Sequence, residues 1–279
     1  MRLATWTFAG ASRTIPDPAQ IRLLIDPPAA GSWNMALDEA LMENATAGRV
    51  TLRLYRWNPP ALSFGRNQLA LERYDPEAAG ARGIDIVRRP TGGRSVYHDR
   101  ELTYSVTAPA ELWGGLRASY LRINRALEAG LAGLGVASAV VAEQSGRRAP
   151  PPGPRACFQD PLPGELAAAG RKLVGSAQWR DHGALLQHGS LLIHNDQDVV
   201  AQLRVGAGDQ RSRAPVAAAS LADVLPVPPD FDRLAEGLRA GFEAEFQVPV
   251  VEEETSGPEL AAAGRLEARY ESEAWTWRR

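Results

Sequence analysis

Residues 172–193 read KLVGSAQW, then a turn containing Asp181 and Gly183, then ALLQHGSLLI. Two apolar-rich runs of strand length closing on a glycine-bearing turn read as a β-hairpin, which requires a sheet with antiparallel neighbours. Further strands are legible upstream. Val50, Leu52 and Leu54 alternate with Thr51, Arg53 and Tyr55 as a half-buried strand; ALSFG resumes extended structure after Asn58-Pro59-Pro60. Ile84 and Ile86 lead into the loop PTGGR, and Leu102, Tyr104 and Val106 alternate again.

Helical periods separate these strands. After an irregular start, Ser32 caps a helix through WNMALDEALMENATAG, with Trp33, Ala36, Leu37, Ala40 and Leu41 on one face and Gly48 at its stop. Leu116, Tyr120, Ile123, Leu127, Leu131 and Leu134 recur at helical spacing. From Phe231 two polar-faced helices follow, one through Leu234, Leu238 and Phe242, the other through Leu260, Leu266 and Tyr270. The weak linker at 205–229 does not divide the chain. Strands and helices intersperse without regular βαβ alternation, so the expected class is α+β: a mixed, largely antiparallel sheet flanked by helices. One domain over 1–279 is expected, with a core at about 30–250 and a C-terminal helical end at 251–279.

A chain of 279 residues can bury a sizeable core, and its 44% hydrophobic and 23% charged residues are those of a water-soluble globular protein. A formal net charge of −2 carries no signature of nucleic-acid or membrane binding. The single cysteine cannot form an internal disulfide, the N-terminal residues make a poor signal peptide, and no apolar run is long enough to span a bilayer. A cytoplasmic setting is therefore expected. Of the 31 Lys and Arg residues, only Lys172 is lysine. In a chain that otherwise uses arginine, a surviving lysine is either a chance survivor or a position where a compact charge of shiftable pKa serves and a broad, always-protonated fork does not.

Three groups of residues could carry chemistry. In Arg88-Arg89-Pro90-Thr91-Gly92-Gly93-Arg94-Ser95-Val96-Tyr97-His98-Asp99, paired glycines let backbone approach a ligand, and arginines add positive potential suited to a phosphate or carboxylate. The spacing is neither a Walker loop nor a dinucleotide fingerprint, and a plain glycine turn with solvated arginines fits the pattern equally. Cys157 and Lys172 form the second group. A nearby ammonium can lower a thiol pKa and stabilise the oxyanion formed when a thioester is attacked, whereas a lone cysteine can equally be an inert buried side chain. The histidines are the third: His182 lies in a turn and is solvated, while His188 alternates within a strand, lining a pocket or satisfied in the core. No zinc spacing is present, so no metal site is expected.

Together these pieces resemble the biotin/lipoate protein ligase superfamily and, within it, the LipM-type octanoyltransferases. RRPTGGRSVYHDRELTYSV resembles the family's arginine–glycine loop, and GRKLVGSAQ followed by LLQHGSLLI its lysine strand and the next strand. WNMALDEALM, TLRLYRWNPPALSFGRNQ and RYESEAWTWRR resemble the first helix, the following strand pair and the C-terminal end, so the similarity runs in motif order from about residue 30 onward. ATP-dependent lipoate ligases commonly read GGG where this chain has Gly92-Gly93-Arg94, and the cysteine-dependent transferases carry a Cys-Phe dipeptide, matched here by Cys157-Phe158.

The resemblance implies a lipoate-ligase-like catalytic domain in which Cys157 carries an acyl thioester and Lys172 activates it or orients the acyl carbonyl. Arg88, Arg89, Gly92, Gly93, Arg94 and His98 would line the acyl-donor site; Ser176, Ala177, Gln178, His188 and Gly189 would surround the acyl group. The implied reaction moves octanoate from octanoyl–acyl carrier protein to a lysine of apo lipoyl domains, those of the glycine-cleavage H protein and of 2-oxoacid dehydrogenase acyltransferase subunits. It needs no ATP, metal or other cofactor, no nucleic acid and no membrane. Two features depart from the family pattern: Gly164 stands in PLPGEL where an aromatic is expected, and the stretch before Cys157 is proline-rich. An ATP-dependent lipoate ligase, an amidotransferase acting between lipoyl domains and a non-catalytic lipoyl- or acyl-binding protein remain alternatives. A papain-like hydrolase lacks its local cysteine signature.

Overall fold

The computed structural model describes residues 18–45, 48–141, 158, 164–206 and 216–279. Cys157 and the proline-rich segment before it, read from sequence as an exposed loop, lie outside the described residues. The strands are β1 (Ile21–Ile25), β2 (Thr51–Tyr55), β3 (Ala61–Phe64), β4 (Asp85–Arg88), β5 (Val96–His98), β6 (Glu101–Pro109), β7 (Ser138–Val140), β8 (Leu166–Ala168), β9 (Arg171–Asp181), β10 (Ala184–Leu192) and β11 (Val250–Glu252). The helices are α1 (Gly31–Ala45), α2 (Pro76–Gly80), α3 (Leu116–Gly133), α4 (Val199–Gln202), α5 (Leu221–Val224), α6 (Phe231–Phe246), α7 (Gly257–Glu271) and α8 (Glu273–Thr276).

An 8-stranded sheet runs β11-β1-β2-β6-β10-β9-β8-β7, and a 3-stranded sheet runs β4-β3-β5. In the large sheet only β11–β1 and β1–β2 are parallel. This is the expected mixed, largely antiparallel α+β architecture. The hairpin forms as read: β9 and β10 pair antiparallel from Ala184↔Asp181 to Leu191↔Val174 around an exposed His182. One detail differs. Leu166 pairs with Val174 but Ala167 with Lys172, so β9 carries one extra residue, Leu173, opposite β8. Such a bulge takes Lys172 out of the strand's simple alternation.

Alternation along the central strands separates two layers. Leu52, Leu54, Leu102, Tyr104 and Val106 join Ile123, Leu127 and Leu131 of α3 and Leu234, Leu238 and Phe242 of α6 in one core. The opposite face carries Arg53, Tyr55, Thr103 and Ser105, all buried as well. It is covered by α1, whose Met35, Ala36, Leu37, Ala40 and Leu41 pack in a second core with Ala263 and Tyr270 of α7. The half-buried strand expected at 50–55 is therefore buried on both faces, because a helix lies over its polar side. Likewise Ser32 does not cap α1: the helix begins at Gly31 and Ser32 is inside its first turn. The start read as irregular holds β1, which pairs with β2 and β11. Among the described residues, no helix is long and apolar enough to cross a membrane.

Helices α3 and α6 cross at glycines. A Cβ on Gly241 would stand 2.3 Å from both Ala126 O and Gly130 N, whereas a Cβ on Gly264, in α7, would meet nothing within 4 Å. The same substitution should therefore have opposite signs at the two sites. Gly241→Ala is expected to destabilise by about 1–3 kcal/mol through overpacking. Gly264→Ala should stabilise by about 0.5–1 kcal/mol through helix propensity. Urea denaturation of both variants checks this, and equal signs would refute the crossing geometry.

Candidate active site

The polar layer under α1 is organised by Asp38, a residue the sequence reading passed over as part of a helix face. Its carboxylate is fully buried and accepts four hydrogen bonds: from Arg53 Nη1 (2.9 Å), Ser105 Oγ (2.7 Å), Tyr55 OH (2.9 Å) and His188 Nδ1 (3.0 Å). Burial alone would raise the Asp38 pKa, but the His188 hydrogen bond, the Arg53 charge and Ser105 outweigh it and hold the carboxyl below its ordinary value. Arg53, equally buried, also binds Asp26 and both the carbonyl and side-chain oxygens of Asn34.

An ionised Asp38 fixes the histidine tautomer. His188 Nδ1 carries the proton donated to Asp38, so its Nε2 accepts from the Thr91 hydroxyl at 2.6 Å. Burial, with Arg89 and His98 adding to it, lowers the His188 pKa even against the pull of Asp38, keeping the ring neutral. The chain Asp38–His188–Thr91 thus ties the first helix, through β10, to the arginine–glycine loop.

Arg89 fixes the same loop from the other side. Its Nη1 donates to Ser63 O (3.0 Å) and Oγ (2.6 Å), and its Nη2 to the carbonyls of Gly92 (3.1 Å) and Arg94 (2.9 Å). Gly93 adopts φ 99°, and its carbonyl lies 2.1 Å from where a Cβ on Gly65 would stand, so both positions require glycine. Ser63 Oγ also bonds His98 Nε2 at 2.6 Å, while His98 Nδ1 bonds Glu101 Oε1 at 2.7 Å. Ser190 and Thr103 donate to the same Glu101 oxygen at 2.8 and 2.6 Å, and the His98 ring stacks on Trp57 with centroids 4.0 Å apart.

These networks border a half-open slot with a largely apolar lining from Met35, Tyr55, Trp57, Val96, Gly175 and Ala177. Of the residues expected at the site, Arg89, Gly93, His98, Ser176, Ala177, His188 and Gly189 line it. Ser176 Oγ bonds Tyr104 OH, so the hydroxyl is engaged by β6. Arg88, Gly92, Arg94 and Gln178 do not line the slot. The buried Arg88 guanidinium instead binds the carbonyls of Gly65, Gln68 and Thr276, anchoring the C-terminal segment; burial and neighbouring Arg278 bring its pKa down to about 10. Gln178 bonds Ser119 of α3 and Gln187 of β10. Both are explained by packing, which a motif reading cannot distinguish from ligand contact.

Lys172, three residues before Gly175 on β9, is buried. Its Nζ donates to Glu165 Oε1 at 2.7 Å and sits 5.4 Å from the Phe158 ring centroid. The same ring would lie 2.7 Å from a Cβ on Gly175. The bulge at Leu173 accounts for this: two β9 residues three apart meet one aromatic ring. Glu165 was also missed in the sequence, although it follows Gly164, the departure noted there. Gly164 adopts φ 89°, and a Cβ there would lie 3.3 Å from Leu121 Cδ2 and 3.6 Å from the Tyr120 ring. Glycine at this position is therefore a backbone requirement, with an aromatic of α3 beside it. Among the described residues, no cluster of His, Cys, Asp and Glu is arranged to hold a metal.

Residues 30–243 match the family model described as the lipoyl protein ligase A/B catalytic domain. The chain is 39% identical over 270 residues to an octanoyltransferase LipM of Kyrpidia tusciae, covering 92% of this chain and 98% of that protein. It is 38% identical over 269 residues to one of Symbiobacterium thermophilum, with the same coverage, 92% and 98%. Among solved structures, a lipoate-protein ligase A bound with ATP superposes with a TM-score of 0.76 at 24% identity, covering 92% of this chain and 98% of that one. That likeness shows the fold.

The lowered His188 pKa has a stability consequence. The folded state binds this proton less readily than the unfolded chain, so protonation favours unfolding, and stability falls as pH drops below the ordinary value of 6.5. Thermal denaturation should show a falling Tm between pH 7 and about 5. The fall should be smaller in His188→Gln; an equal fall in the variant would show that His188 is not the titrating group.

Proposed function

Because this chain belongs to the lipoyl protein ligase A/B catalytic-domain family, we propose that it is an octanoyltransferase of lipoate biosynthesis acting through a thioester on Cys157. The donor is octanoyl–acyl carrier protein and the acceptor a lysine of an apo lipoyl domain. One observation carries the reading. The only lysine in the chain lies buried against the ring of Phe158, the residue that follows the only cysteine, and the same ring packs on Gly175, which lines the apolar slot.

The chemistry follows in two steps. The Cys157 thiolate attacks the thioester carbonyl of the donor, and the carrier's thiolate leaves and takes up a proton. The acceptor's neutral lysine amine then attacks the acyl-enzyme; the amide forms, Cys157 leaves as thiolate and the amine's second proton passes to solvent. Splitting the transfer through sulfur replaces one encounter of two protein partners by two simpler steps. The Lys172 ammonium lowers the thiol pKa and faces the oxyanion formed in each step. The alkyl chain enters the slot between Trp57, Met35 and Val96, where apolar walls receive it without unpaired polar groups. His98, His188 and Arg89, each committed to neighbouring groups, hold the slot's walls.

Intact-mass spectrometry tests the reading. Octanoyl–carrier protein should add one octanoyl mass to the wild type and none to Cys157→Ser. Modification of a lipoyl domain that needs ATP and free lipoate, and survives Cys157→Ser, would instead establish the ligase activity. Supplying an octanoylated lipoyl domain as donor separates the amidotransferase alternative. Lys172→Arg should fold normally and lose at least tenfold in transfer rate, since the guanidinium's fixed fork cannot replace a compact ammonium. Near-normal rates in that variant would remove Lys172 from the mechanism.

A further inference from the structure

The Lys172 ammonium does not lie free in the protein: a buried carboxylate is built to meet it. Glu165 stands at the entrance to β8, with its side chain 8% and that of Lys172 2% exposed. The backbone around Glu165 is pinned on three sides. Gly164 N donates to Val141 O (2.9 Å), Val141 N to Glu165 O (2.8 Å), and Asn124 Nδ2 of α3 to Gly164 O (2.7 Å). Lys172 is held equally firmly, its carbonyl accepting from Ala219 N at 2.8 Å and the Leu173 bulge setting its direction. The ammonium thus lies between a fixed carboxylate and the face of Phe158.

A buried ion pair is weak evidence of stabilisation, because apolar residues of similar volume commonly serve a core as well or better. Its presence behind Phe158 calls for another reason. A lysine can assist a thiolate and an oxyanion only while it is protonated and correctly aimed. Burial opposes the first requirement, since desolvation drives an unpaired ammonium toward its neutral form. Four flexible methylenes oppose the second. An adjacent carboxylate meets both, holding the proton on and restricting the directions the ammonium can take.

We propose that Glu165 is a positioning residue for acyl transfer, keeping Lys172 charged and its ammonium fixed in direction. The proposal rests on the acyl-cysteine reading above. Because Cys157 is the only thiol in the chain, alkylation by iodoacetamide reports its ionisation without interference. In Glu165→Gln the alkylation midpoint should move to higher pH by about one unit, as the neighbouring cation is lost. With octanoyl–carrier protein as donor, kcat should fall about tenfold or more while KM stays within about threefold. Glu165→Asp retains the charge but draws it back by one methylene, so its alkylation midpoint should remain near wild type while kcat drops.

A merely structural Glu165 would lower thermal stability and leave the alkylation midpoint in place, which overturns the proposal; so does wild-type kcat in Glu165→Gln. If Glu165→Gln does not fold, Glu165→Asp decides: wild-type kcat there counts against positioning, and lowered kcat at an unchanged midpoint supports it. The outcomes remain separable from those of the functional reading. Absence of an octanoyl adduct on wild-type Cys157 defeats the acyl-cysteine mechanism itself. A wild-type adduct, with Glu165→Gln indistinguishable from wild type, defeats only the role of Glu165.

Discussion

The carboxylate of Asp38 is the constraint on which the rest of the site depends. An ionised acid at zero exposure is tolerated only if donors replace the water it has lost, and Asp38 draws them from β2, β6 and β10 at once. That requirement makes the sheet face under α1 polar and yet buried. It also ties α1 to three strands of the sheet beneath it. Removing one partner from such a buried pair typically costs about 3–5 kcal/mol, so the arrangement tolerates little variation in its members.

From Asp38 the order propagates in one direction, through the neutral His188 to Thr91 and the glycine loop, where Arg89 closes the wall. Two buried charged groupings near the slot differ in electrostatic character. At His188, burial keeps an imidazole uncharged against a carboxylate whose charge is already balanced by Arg53. Behind Gly175, across the Phe158 ring, Lys172 and Glu165 form a separate ion pair.

Much of the fold was legible because alternation and helical spacing report which side of an element is apolar. The β9–β10 hairpin, α3 and the two C-terminal helices were found that way. The same signal misled where both sides are buried. Residues 50–55 look half-exposed because Arg53 and Tyr55 are polar, and only the donors around Asp38 show why they are inside. β1 was missed because IRLLI lies next to prolines and its partners, β2 and β11, are distant in sequence or too short to announce themselves. The site was legible as motifs but not as contacts. Arg88 and Arg89 form one dipeptide, and only coordinates show that one anchors the C-terminal segment while the other pins the loop. Asp38 and Glu165 lie inside longer runs, WNMALDEALM and PLPGEL, that do not single them out, although an acid amid the apolar residues of α1 is a signal that could have been used. The role of Cys157 came from the resemblance, and direct observation of an acyl-enzyme tests it.

A crystal structure of the enzyme trapped after incubation with octanoyl–carrier protein gives that observation most directly. The account predicts continuous density from Cys157 Sγ into the slot, with the thioester oxygen facing Lys172 Nζ and the alkyl chain running between Trp57 and Met35 toward His188. Density for the octanoyl group on another residue, or in another cavity with the slot empty, would contradict it.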